Sequence, residues 1–142
     1  MLPLIEDAIA AKGFYQEWLN PVCRKYDLTE SEMLVLVYLS ANSSKDTAKD
    51  IATKQKLKKP IVSVSLKDLQ NRGLITGSQY EEDHRSIHLM LTPEGEKIIK
   101  EIRKAERECE KVLMEGFGKD EKKDLMKYLN RINRNMDSYR KE

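Results

Sequence analysis

The side chains of this sequence best placed to do chemistry are cations, and they are concentrated. Residues 45–72 hold eight basic side chains (Lys45, Lys49, Lys54, Lys56, Lys58, Lys59, Lys67 and Arg72) against three acids, net +5. Residues 1–44 are net −3, residues 73–91 net −2 and residues 92–142 net +2. One short cationic stretch in a chain of net charge +2 suits a polyanionic partner. An ordinary solvated face is the alternative reading of the same charge. His84 and His88 lie four apart in an alternating, strand-like segment without further nearby ligands, so no metal site is expected. His84, beside Arg85, can approach a phosphate, and His88 reads as structural. Cys23 and Cys109 are too far apart in sequence to suggest a disulfide framework or a metal pair. Cys23 precedes Arg24 and Lys25, which would favour its thiolate, and so it is a redox candidate; a small buried thiol is the competing reading. Cys109 falls on an apolar stripe and reads as core. No nucleophile–base pair, phosphate loop or metal cluster is visible, so neither an enzyme nor a cofactor is expected.

The elements around the cationic stretch follow from local signals. Leu4, Ala8, Ala11, Tyr15, Trp18 and Val22 alternate four and three apart, the stripe of a first helix, which Pro21 is expected to break or kink near its end. Thr29-Glu30-Ser31-Glu32 fits a capping box, and the apolar run Met33–Leu39 after it predicts a helix buried on several sides. Asp46-Thr47 caps a short helix through Ala48, Ile51 and Ala52; Lys56-Leu57-Lys58 forms a turn with Leu57 as its apolar plug. Pro60 suits the start of the next helix, whose Val62, Leu66 and Leu69 form one apolar face and whose end is marked by Arg72-Gly73. Leu74–Thr76 and Ile87–Leu91 predict two strands flanking a charged tip, Gln79–Arg85. Thr92-Pro93-Glu94 starts a long helix carrying Ile98, Ile102, Ala105, Cys109 and Val112. Gly116 and Gly118 interrupt it, and a last helix from about Asp120 carries Leu125, Leu129, Ile132, Met136 and Tyr139.

Helices followed by a hairpin in this order form a winged helix-turn-helix layout. With Val62, Leu66 and Leu69 against a core, Pro60, Ser63, Val64, Lys67 and Asn71 point outward, with Ile61 and Asp68 on the flank. Such a helix can lie in a DNA major groove. Lys58 and Lys59 would meet phosphates; Ser63 and Lys67 would reach base edges; Ile61 and Val64 would touch thymine methyls. Arg85 at the hairpin tip is placed to read a narrow minor groove.

These pieces resemble the MarR family of bacterial transcriptional regulators over nearly the whole chain. Leu28-Thr29 through Leu39 resembles the family's second helix. Leu69-Gln70-Asn71-Arg72-Gly73-Leu74-Ile75 resembles its L-x-x-x-G-L-I, and Asp83-His84-Arg85 with Ile87, Leu89, Leu91-Thr92 and Gly95 resembles its D-x-R…L-x-L-T-x-x-G wing. The resemblance implies an obligate homodimer with interleaved terminal helices and two recognition helices on a pseudo-palindromic double-stranded operator. It further implies a repressor or activator, a repressor being the leading expectation, with a small-molecule effector. Asp83 would brace the wing while Arg85 enters the minor groove. The family position filled here by Val64 is often polar or arginine, a departure that bears on base preference.

The expected fold class is therefore mainly α with a small β-hairpin wing. A winged helix-turn-helix lobe (28–92) is flanked by N-terminal (1–27) and C-terminal (93–142) dimerisation helices. Three striped helices outside the lobe are more than one copy can bury, which by itself argues for a dimer. Phe14, Tyr15, Trp18, Tyr26 and Tyr38 are candidates for an effector pocket, or for core filling. No apolar run approaches the length of a spanning helix, and the acidic start is unlike a signal peptide, so a soluble cytoplasmic protein without membrane association is expected. A winged-helix module that binds proteins and not DNA is the second functional reading.

Overall fold

The computed structural model describes residues 1–42, 46–80 and 83–141, with side chains described for all of these except 79, 80 and 83–86. Its elements are α1 (Pro3–Lys25), α2 (Glu30–Ala41), α3 (Ala48–Gln55), α4 (Lys59–Asn71), β1 (Ile75–Tyr80), β2 (Asp83–Leu91), α5 (Pro93–Leu113) and α6 (Lys119–Arg140). The fold is thus mainly α with one antiparallel hairpin. The chain forms two compact units, Met1–Arg107 and Glu108–Glu142.

In the first unit, α2 sits at the centre: Met33, Val35, Leu36, Tyr38 and Leu39 are all buried. Around it pack Ile51 of α3, Val62, Leu66 and Leu69 of α4, Ile75 and Leu89 of the hairpin, and Ile98, Ile99 and Ile102 of α5. The caps are those the sequence encodes. Thr29 Oγ1 accepts the Glu32 amide at 3.1 Å, and Glu32 Oε1 accepts the Thr29 amide at 2.9 Å. On α3 the N-cap is Thr47 of the expected Asp46-Thr47 pair, boxed with Asp50, while the Asp46 side chain turns to His88 instead. Leu57 is half-buried against the core, as a plug between α3 and α4 should be.

Gly73 (φ +71°) ends α4 in a Schellman turn, with the Leu74 amide donating to the Leu69 carbonyl and the Gly73 amide to that of Gln70, both at 3.0 Å. Thr92 then ties the far end of the wing to this turn: its amide donates to the Leu74 carbonyl at 3.1 Å and its hydroxyl to that of Gly73 at 2.6 Å.

Three expectations are corrected. First, Pro21 does not end α1, which runs on to Lys25 and closes in a second Schellman turn with Asp27 at φ +51°. Leu19 and Cys23, on either side of the proline, are both buried, and that anchoring offsets the lost hydrogen bond. Second, the expected α1 stripe is displaced by one residue. Leu19 and Cys23 enter the core, Tyr15, Trp18 and Val22 only border it, and Leu4, Ala8 and Ala11 are exposed. Third, the hairpin is longer than expected: β1 and β2 run into the segment read as a tip, so the backbone of 83–85 belongs to β2. The register pairs Ile75 with Leu91, Gly77 with Leu89, Ser78 with His88 and Tyr80 with Asp83, with an irregularity between Ser78 and Tyr80.

In the second unit Cys109 is buried on α5. Gly116 adopts φ +84° in the turn, and Glu121 Oε1 accepts the Gly118 amide at 2.8 Å at the start of α6. No residue of α6 is buried.

Candidate nucleic-acid interface

The site is built on α4. Val62, Ser65, Leu66 and Leu69 are buried, whereas Lys59, Pro60, Ile61, Ser63, Val64, Lys67 and Asn71 are exposed. Pro60, Ser63, Val64, Lys67 and Asn71 form the outward face that the 100° helical repeat predicts, and Ile61, expected on the flank, is exposed beside them. Its two apolar members differ in degree, Ile61 at 42% and Val64 at 70% exposure. Unlike α2 and α3, α4 carries no side-chain cap: Lys58 occupies the N-cap position without a capping hydrogen bond, and Pro60 removes one first-turn amide. Its remaining first-turn amides have no helical acceptor and are flanked by exposed Lys58 and Lys59, an arrangement complementary to phosphate.

A groove of about 680 Å³ runs between the start of α2 and α4, with Pro60, Ile61, Val64 and Ser65 on one side and Asp27, Glu32 and Asp68 among its polar members. Glu32 is buried, and its Oε2 accepts no hydrogen bond; the Arg72 guanidinium is 4.0 Å away. Burial first, then the neighbouring Asp68 carboxylate, push the Glu32 carboxyl above the ordinary glutamate range, against the pull of the Thr29 amide and hydroxyl.

Arg72 counts among the cations of the central stretch, yet it points inward. It donates through Nη1 to the Asp27 carbonyl at 2.9 Å and through Nη2 to the Tyr26 carbonyl, and lies 3.7 Å from Asp68. It caps the end of α1 and does not belong to the outward cationic face. Only its place at the close of α4 was legible in the sequence; the carbonyls it serves lie more than forty residues away.

His88, expected to be structural, is so: Nδ1 donates to Oδ1 of buried Asp46 at 2.6 Å, and the Leu89 amide donates to the Asp46 carbonyl at 3.2 Å. The residue before the α3 N-cap is thereby fixed to the wing. The side chains of Asp83, His84 and Arg85 lie outside the described residues.

Of the five aromatic pocket candidates, Tyr38 lies in the core and Tyr15, Trp18 and Tyr26 pack against it. The Tyr15 hydroxyl donates to Glu106 at 2.9 Å and the Tyr26 hydroxyl to Glu101, which also accepts from Lys25 at 2.6 Å. Tyr38 is buried in α2 and Trp18 stacks obliquely on Phe14 at 5.7 Å. None of the five lines the groove between α2 and α4, nor either of two smaller clefts beside α1 and α3. Cys23 has no thiolate-favouring surroundings. It is buried, its Sγ donates to Met33 Sδ at 3.4 Å, and burial together with the Glu30 charge raises its pKa. Arg24 and Lys25, beside it in sequence, are both exposed to solvent. Among the described residues, no group of three His, Cys, Asp or Glu could hold a metal ion, and no helix is long and apolar enough to cross a membrane.

Comparison with known proteins agrees with this architecture. The sequence pattern of the family described as transcriptional regulator SarA/Rot matches residues 17–102, from the second half of α1 to the middle of α5. The HTH-type transcriptional regulator MgrA of Staphylococcus aureus is 30% identical over 113 residues, spanning 80% of this chain and 75% of that protein. The HTH-type transcriptional regulator FarR of Neisseria gonorrhoeae is 26% identical over 127 residues, 87% of this chain and 86% of its own. A MarR-family regulator from Listeria monocytogenes, solved in complex with a 26mer DNA, superimposes with a TM-score of 0.83 at 18% identity, covering 96% of this chain and 89% of its own. A helix-turn-helix closed by a wing, and relatives that are regulators and not enzymes, lead to one assignment: this chain belongs to the SarA/Rot family of transcriptional regulators, on the MarR winged-helix fold.

Proposed function

We propose that the chain is a dimeric, sequence-specific DNA-binding repressor, acting in the cytoplasm, that sets α4 of each copy into successive major grooves of a pseudo-palindromic operator. The observation that carries this reading is the division of α4: one face is sealed in the core, and the other presents Lys58, Lys59, Ser63 and Lys67 uncovered around an uncapped N-terminus. A regulator on the same fold that was solved with DNA supports it. The dimer is supported by apolar surface left open at both ends of the chain, Leu4, Ile5 and Ile9 on α1 and Met126, Leu129 and Met136 on α6. Twofold pairing would cover these residues and place equivalent recognition helices about 34–36 Å apart. Effector control, implied by the family resemblance, would be a population shift: a bound small molecule alters the separation of the two recognition helices, and so operator affinity.

Exposed Ile61 and Val64 favour one other reading, a protein-binding module without DNA affinity. The lysines around them favour DNA. A gel-shift series over salt concentration separates the two. Lys67→Ala is expected to weaken binding to a selected operator, and Arg85→Ala to reduce both affinity and the steepness of its salt dependence, by roughly one unit of slope per lost phosphate contact. Equal binding by parent and variants would count against the DNA reading, and no affinity for duplex even at low salt would favour the protein-binding module.

A further inference from the structure

We infer that Ile61 and Val64 read thymine methyl groups, so that the duplexes this chain selects carry thymines on two neighbouring base pairs in each half-site. The inference rests on the major-groove placement of α4 proposed above and adds the chemistry of the sequence it recognises. Both side chains stand on the outward face, the valine the more exposed at 70%, while Val62, Leu66 and Leu69 of the same helix are fully committed to the core. Three residues apart on a helix, their Cβ atoms are about 5–6 Å from each other and advance about 4.5 Å along the axis. Successive base pairs rise about 3.4 Å, so the two can lie over adjacent steps. Both are β-branched, and β-branched side chains on a helix are confined to few χ1 rotamers, so their methyl groups are presented in fixed positions.

The chemistry of the neighbours narrows the choice of base. In the major groove only thymine displays a methyl group; guanine needs a cationic fork and adenine an amide. Between Lys59 and Lys67 the exposed residues of α4 are Pro60, Ile61, Ser63 and Val64, which offer a single hydroxyl and no fork or amide. Apolar contact is therefore the discriminating interaction over this turn. The surroundings also decide against the backbone as the occupant of this patch: the groove beside Ile61 and Val64 is lined across from them by Asp27 and Glu32 and on α4 itself by Asp68, carboxylates that disfavour phosphate there. Phosphates are left to Lys58 and Lys59, which precede the apolar pair at the start of the helix.

The test uses the full chain and duplexes selected from a random pool. In the tightest duplex each deoxythymidine is replaced singly by deoxyuridine, which removes the methyl and keeps the base pairing. Two adjacent positions per half-site should each lose about fourfold in affinity, the value of one buried methyl. Val64→Ala should abolish the sensitivity at one of them and Ile61→Ala at the other, while both variants keep the circular-dichroism spectrum of the parent, since alanine favours the helix and both sites are exposed. Putting 5-methylcytosine, opposite guanine, at those positions should bind more tightly than cytosine. Tight duplex binding with no methyl-sensitive position, or with sensitivity unchanged in both variants, overturns this inference and leaves the DNA-binding reading standing. Failure to select any duplex overturns both.

Discussion

Glu32 accepts the Thr29 amide proton through Oε1 while its Oε2 lies buried beside Asp68, with Arg72 4.0 Å away. One carboxylate thus caps α2 and buries charge behind the recognition helix. An acid whose pKa is raised on folding holds a proton that the unfolded chain has already lost. Stability should therefore fall as pH rises from the ordinary glutamate range, about 4.3, through the raised value, and level off once both forms are ionised. Glu32→Gln keeps an oxygen for the Thr29 amide and removes the charge. It is expected to raise stability at pH 7 by about 1 kcal/mol and to flatten this pH dependence, as read from urea denaturation between pH 4 and 7. A second buried carboxylate has the opposite logic. Asp46 is held by His88 at 2.6 Å, and His88→Ala would strip a buried acid of its imidazole; a loss of about 2–4 kcal/mol is expected in the same assay at pH 7.

At the scale of elements, the wing and α5 are joined by a contact that admits no side chain. A Cβ on Gly95 would sit 2.2 Å from the carbonyl oxygen of Leu74, and that oxygen already accepts the Thr92 amide at 3.1 Å. The obstacle is backbone, so relief needs α5 to move away from the start of β1. Gly95→Ala is expected to cost about 2–4 kcal/mol by thermal or urea melts, although alanine is the better helix former. The same turn carries Gly73 at φ +71°, where the close of α4 and the opening of β1 share three backbone carbonyls, those of Leu69, Gln70 and Leu74. The close of α4 is thus held by backbone hydrogen bonds, while the exposed face of its N-terminal half stays open to a ligand.

At the scale of the whole molecule, apolar residues uncovered in one copy are the basis for the proposed dimer. Ile9 on α1 is 57% exposed and Leu129 on α6 is 39% exposed, each in a helix whose polar residues would suffice for solubility. Ile9→Glu combined with Leu129→Glu should shift the sedimenting species at micromolar concentration from dimer to monomer, because each charge would be buried twice across a twofold interface. Helical content by circular dichroism should persist in the monomer, since neither side chain contributes to the core. Operator affinity should fall with the dimer, because half-sites one turn apart reward only linked recognition helices. A parent protein already monomeric at that concentration would remove the dimer from the proposal.

The sequence by itself determined what short-range geometry can write. The Thr29–Glu32 and Thr47–Asp50 caps, the plug at Leu57, the sealed and open faces of α4 and the glycine stop at Gly73 each depend on residues within a turn or two of one another. Tertiary structure decided the rest. It carried α1 through Pro21 because Leu19 and Cys23 found a core on both sides of it, turned Arg72 from a surface cation into a cap for α1, and paired Asp46 with a wing histidine. It also buried Cys23, and that burial raises its pKa despite the cations beside it in sequence. Each of these outcomes depends on a partner brought close only by folding, and the spacing of residues along a chain records which face a side chain takes, not what it will meet there.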